Sequence, residues 1–160
     1  MRFKTELLIN KPRLEVWKFF SNRENIKLWQ PTLTKIEPIS SIQSQPGAES
    51  KWTYEEKGRE FSLTEKVLYC EEPSRYESLF ENAFASNTVN QLFMEQGNGE
   101  TVWTAETEYQ FKTFLMKIIG PFFKKNYVLR SQKEMERFKE MLEKAETGNL
   151  AKVASERTQF

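Results

Sequence analysis

The chain has 160 residues, with 24 Lys and Arg against 23 Asp and Glu, a single Cys and no His. This length and near-neutral balance read as one domain and lack the basic footprint of a nucleic-acid binder. Without His there is no Ser-His-Asp or Cys-His pairing, and Cys70 alone makes neither an intrachain disulfide nor a zinc ligand set, so no metal or cofactor is expected.

Taken in chain order, Lys4 to Asn10 reads as a short strand. Its apolar run Leu7-Leu8-Ile9 is too short for the core of a signal peptide. Lys11-Pro12 then opens a helix whose apolar face is Leu14, Val16, Trp17, Phe19 and Phe20. Ser21-Asn22-Arg23-Glu24 has the form of a capping box, which predicts a second short helix carrying Ile26, Leu28 and Trp29 and ending at Gln30-Pro31. From there to Phe111, turn signals at Pro46-Gly47, Lys57-Gly58, Pro73-Ser74, Asn82 to Asn87 and Gly97-Asn98-Gly99 divide six predicted strands. One strand alternates Phe61, Leu63, Val67 and Tyr69 with Glu60, Ser62, Thr64 and Lys66; the last sets Trp103, Ala105, Tyr109 and Phe111 opposite Thr104, Glu106, Glu108 and Gln110. Period-two alternation of this kind predicts an antiparallel sheet covered on one face only.

Thr113 to Ile119 reads as helix, and Gly120-Pro121 interrupts it. A long helix is then predicted from Pro121 to about residue 145, with Phe123, Tyr127, Met135, Phe138, Met141 and Leu142 recurring on one face and Gly148 as its stop. Lys133 to Lys144 mixes both signs of charge and reads as that helix's solvated side. The domain is expected to span residues 1–145, with 146–160 as a flexible tail. The longest uncharged apolar stretch, Ile118 to Phe123, is far below the ~20 residues of a membrane span, and the reading is a cytoplasmic protein.

A sheet with one polar face must bury the other, and only the C-terminal helix is long enough to cross it. The expectation is an α+β fold: a curved antiparallel sheet of six to seven strands wrapped around that helix, with two short helices after the first strand. Several segments, in this order, resemble the SRPBCC superfamily, the START-like helix-grip fold of the polyketide cyclase/dehydrase and lipid transport type. They are Ile9 to Trp17, Trp29-Gln30-Pro31, Pro46-Gly47, Glu72-Pro73-Ser74-Arg75, Gly99-Glu100-Thr101 and the run from Met116 to Lys125. The resemblance covers roughly residues 1–144. It implies a deep cavity between sheet and helix that receives apolar molecules.

Thirteen Phe, five Tyr and four Trp concentrate the chain's apolar bulk in rings, which can fill a core or line a cavity. The candidate lining is Trp52, Tyr54, Tyr76, Trp103 and Tyr109 from the sheet and Phe123, Tyr127 and Arg130 from the helix. Trp29 is placed either at the mouth or as a plug. The tyrosines pair an apolar ring with a hydroxyl that needs a partner when buried. Arg130, one turn after Tyr127, reaches either a ligand carboxylate or solvent.

Alternation puts one carboxylate, Glu65, on the apolar face between Leu63 and Val67. Buried there, it is a candidate acid or base; a β-bulge turning it outward and an ion pair with Arg130 or Lys124 are the alternatives. Cys70, with no His to activate it, reads as an inert apolar residue. Three functions follow. The first is binding, transport or sensing of a small hydrophobic or amphipathic ligand by a monomer or homodimer, with no turnover required. The others are a cyclase/dehydratase-type enzyme using Glu65 and a Tyr hydroxyl, and a chaperone-activator-like interaction module.

Overall fold

The computed structural model describes the backbone of residues 1–157 and the side chains of residues 1–145. Seven strands form one antiparallel sheet: β1 (Arg2–Ile9), β2 (Leu33–Pro38), β3 (Glu49–Glu56), β4 (Arg59–Glu71), β5 (Arg75–Glu81), β6 (Ala85–Glu95) and β7 (Thr101–Phe111). Their order across the sheet is β1-β7-β6-β5-β4-β3-β2, so β1 and β2 are its two edges and the sheet stays open. Helices α1 (Arg13–Ser21) and α2 (Ile26–Trp29), with a 3₁₀ turn at Arg23–Asn25 between them, carry the chain from one edge to the other. After β7 come α3 (Phe114–Ile119), a 3₁₀ turn at Gly120–Phe123 and the long α4 (Lys124–Arg157). This is the expected helix-grip architecture.

Local chemistry accounts for most boundaries. Lys57 and Gly58 both hold positive φ, +52° and +74°, which is the type I′ geometry whose twist suits a two-residue hairpin between β3 and β4. Thr113 caps α3 by accepting from the Met116 N–H at 3.2 Å. At the start of the 3₁₀ turn the cap is Asn22, whose Oδ1 accepts from the Glu24 N–H at 3.1 Å; Ser21 is still the last residue of α1, so the predicted capping box does not form. The helix stop expected at Gly148 is not there, because α4 runs on to Arg157. The predicted tail, 146–160, lies outside the described side chains.

The alternation in β4 breaks at a register shift between Val67 and Tyr69. This bulge turns Tyr69 outward to 40% exposure and brings Cys70 to the inner face in its place. The covered core is an aromatic cluster in which Trp17, Phe93, Trp103 and Phe138 are all at most 3% exposed. Met135, Phe138 and Leu142, spaced by three and four residues, are the buried stripe of α4. The same helix is tied to edge strand β1 by Thr5 Oγ1 and Ser131 Oγ at 2.8 Å and by Lys139 Nζ donating to the Leu8 carbonyl at 3.1 Å.

Candidate functional site

The rings do not fill the space between the sheet and α4. A cavity of about 890 Å³ remains, walled by the inner faces of β3 to β7, by α1 and α2, and by the first turns of α4. Trp29, Trp52, Tyr54, Tyr76, Trp103, Tyr109, Tyr127 and Arg130 all line it. Phe123 does not: it sits in the 3₁₀ turn before α4 at 48% exposure, because the helix proper begins one residue later and turns that ring outward. Trp29 is an interior plug, 5% exposed and set edge-on to Trp103 and Phe138 at 6.0 and 5.7 Å.

Glu65 lies on the cavity wall and is 2% exposed. The β4 bulge falls after it and leaves it facing inward. Its register partner on β3 is Ser50, and Trp52 and Ser78 share its face on the flanking strands. Glu65 Oε2 accepts from Ser50 Oγ and Trp52 Nε1, each at 2.9 Å, and from Arg23 Nη2 at 3.4 Å. Oε1 accepts from Ser78 Oγ at 2.8 Å and from the Tyr76 hydroxyl at 3.3 Å. Both oxygens are thus committed within the wall. The ion-pair partner is Arg23, from the 3₁₀ turn, and neither Arg130 nor Lys124. Alternation carried the signal for the two serines, since Ser50 has the parity of Trp52 and Ser78 that of Tyr76. Arg23 had none, because a single 3₁₀ turn has no apolar period.

On the opposite wall Arg130 pairs with Glu56 at 2.6 Å and Glu134 at 3.0 Å, and its guanidinium stands 5.8 Å from the centre of the Tyr54 ring. Burial raises the Glu134 carboxyl above the usual range despite Arg130 beside it. The Tyr54 hydroxyl donates to Gln30 Oε1 at 3.0 Å, and Trp103 Nε1 donates to Gln91 Oε1 at 2.7 Å. Tyr109 and Tyr127 stack with centroids 4.7 Å apart. Among the described residues no cluster of His, Cys, Asp or Glu is placed to hold a metal ion.

Three of these tyrosines carry a consequence for pH. Burial, followed by the Glu134 charge, holds the Tyr54 hydroxyl far above its ordinary value; burial and the Glu65 charge do the same to Tyr76. Burial and neighbouring Tyr127 push Tyr109 up to about 12. A raised folded value means the native state keeps protons that the unfolded chain gives up. The stabilising contribution is therefore complete below about pH 10 and is lost as pH climbs beyond it. An alkaline titration of tyrosinate absorbance is expected to show these three ionising above pH 11 or only with unfolding. Ionisation of all five tyrosines near pH 10 in still-folded protein would contradict their burial.

Known proteins place the chain on the same fold. TTHA0849 from Thermus thermophilus superposes with a TM-score of 0.74 at 15% identity, covering 91% of this chain and 99% of that one. A START superfamily protein from Mycobacterium smegmatis gives 0.74 at 12%, covering 90% and 98%. The di-domain ARO/CYC StfQ from the steffimycin biosynthetic pathway gives 0.74 at 10%, covering 91% of this chain and 52% of that one. No curated protein sequence matches. Residues 10–115 match the family model described as activator of Hsp90 ATPase homolog 1-like protein. The chain therefore belongs to the activator of Hsp90 ATPase homolog 1-like family, within the START-like SRPBCC superfamily.

Proposed function

We propose that the protein binds a small hydrophobic or amphipathic molecule between its sheet and α4, without transforming it. The observation that carries this reading is the 890 Å³ of unfilled space, within the roughly 300–1,000 Å³ typical of small-molecule sites. Its walls supply ring faces from Trp52, Tyr76, Trp103 and Tyr109, and two charged positions, Arg23 with Glu65 and Arg130 with Glu134. A ligand with an apolar body and one or two hydrogen-bonding groups suits that combination.

A cyclase-type reading draws support from the likeness to StfQ. A general base needs a lone pair facing its substrate, however, and the five donors around Glu65 engage both of its oxygens. An activator reading draws on the family description and would use an outer surface in place of the cavity.

The test is native mass spectrometry of the purified protein for a co-purified small molecule, followed by a thermal-shift panel of lipids and aromatic compounds. A ligand at a hundred times its Kd adds about 2.7 kcal/mol and raises Tm by roughly 5–10 °C at this size. Ala105→Phe, which projects a ring from the buried centre of β7 into the cavity, should abolish that shift. A panel that moves Tm nowhere, with no co-purified molecule, overturns the reading.

A further inference from the structure

The segment that joins β7 to α4 is built unlike the rest of the surface. Phe114 is 80% exposed and Phe122 83%, and Leu115, Ile118 and Phe123 are exposed beside them. Phe84, in the β5–β6 turn, joins the same patch, because its carbonyl accepts from the Lys112 N–H at 2.8 Å. Water-facing rings in such number are costly unless something covers them. The segment is held in this posture from below: Gly120 packs so closely on the Phe111 ring that a Cβ there would collide with it, and Met116 and Phe111 line the cavity. Only the outer side is free.

The charge of the segment says what covers it. From Tyr109 to Lys133 the chain has no Asp or Glu, yet it holds Lys112, Lys117, Lys124, Lys125, Arg130 and Lys133, in a protein whose formal net charge is only +1. Lys112 is paired with Glu81 and Arg130 with Glu56 and Glu134; of the other four, Lys133 lies further along α4, and Lys117, Lys124 and Lys125 are interleaved with the exposed rings. Protein interfaces favour Arg, Met and all three aromatic types and are depleted of Lys, so the exposed Phe rings suit either kind of partner, whereas lysines with no Arg among those rings disfavour a protein. Phe, Leu and Ile flanked by Lys is the composition of a segment that lies in the headgroup layer of an anionic bilayer. No helix of the described residues is long and apolar enough to cross a membrane, so contact of this kind is peripheral.

We infer that the α3 segment, with Phe114 and Phe122 as its inserting side chains and Lys117, Lys124 and Lys125 as its anchors, docks the protein on an anionic lipid surface beside the rim of the cavity. The docking stands whether or not the cavity is ever filled, so it and the ligand-binding reading fail separately.

Co-sedimentation with phosphatidylcholine–phosphatidylglycerol vesicles, against pure phosphatidylcholine vesicles, tests it. The full-length chain should bind the anionic vesicles, bind the neutral ones at least tenfold less, and be released by salt. Lys117→Gln with Lys124→Gln and Lys125→Gln should lower partitioning by about two orders of magnitude, at roughly fivefold per charge. Phe114→Ser with Phe122→Ser should lower it at least tenfold. These side chains face water, so an unchanged Tm in both variants shows that the loss is not unfolding. Equal binding of the Phe variant and the parent chain overturns the inference, as does no binding of the parent chain to anionic vesicles. A parent chain that sediments as a dimer, becomes monomeric with the Phe pair replaced and ignores vesicles also overturns it, and assigns the patch to a second copy.

Discussion

Glu65→Leu is expected to lower stability by about 3–5 kcal/mol in urea unfolding, the scale on which removing one member of a buried, hydrogen-bonded ion pair is felt. The carboxylate is 2% exposed and is the shared acceptor for Ser50, Trp52, Ser78, Tyr76 and Arg23, four donors on the inner sheet and one from the crossing turn. Leucine fills similar space but accepts nothing, so the donors lose their shared acceptor away from water, although the Trp52 N–H also reaches Ser50 Oγ at 2.9 Å. The Arg23 side chain keeps 23% exposure and can rehydrate in part, which places the expectation toward the lower end of that range. Glu65→Gln keeps one acceptor oxygen and should lose less than half as much. Combining Glu65→Leu with Arg23→Met should recover part of the loss, since both charges are then gone. If Glu65→Leu stays within about 1 kcal/mol of the parent chain, the network does not hold the wall together.

Phe138→Ala is the second large effect, also about 3–5 kcal/mol and a fall in Tm on the order of 10 °C by calorimetry. The Phe138 ring is fully buried and meets Phe19 at 5.1 Å, Trp29 at 5.7 Å and Trp103 at 4.8 Å, so a single side chain joins α4 to α1, α2 and β7. Truncation opens a void in the buried aromatic cluster, and close-packed neighbours relax into such a void only partly. Phe123→Ala is the matched control. It removes the same ring from a position 48% exposed on the same segment, and is expected to change stability by no more than about 0.5 kcal/mol. Equal losses at the two positions would mean that α4 is not gripped through Phe138.

The contrast between these two phenylalanines marks how far the sequence could be read. Both fall on the apolar stripe of the C-terminal segment, and periodicity treats them alike. A 3₁₀ turn at Gly120–Phe123 changes the angular advance per residue and swings Phe123 out, and nothing in the apolar spacing records that change. Glu65 was legible in the opposite sense. Its parity with Leu63 and Val67 put it on the covered face and its charge made it conspicuous there, while its partner Arg23, on an aperiodic turn of another element, went unseen.

Alternation in β4 and β7, the turn signals between strands and the apolar stripe ending in Met135, Phe138 and Leu142 determine, by themselves, a one-sided sheet closed by a terminal helix. Such patterns depend only on the repeat of each element, which every residue in it reports. Tertiary structure alone decided where the β4 bulge exchanges Tyr69 for Cys70, which cation answers Glu65, and that the aromatic faces of sheet and helix stop short of each other by about 890 Å³. Those outcomes are set by distances between elements far apart in the chain. The same rings at the same spacing close into a solid core or stand around a hollow according to how steeply the sheet curves over α4.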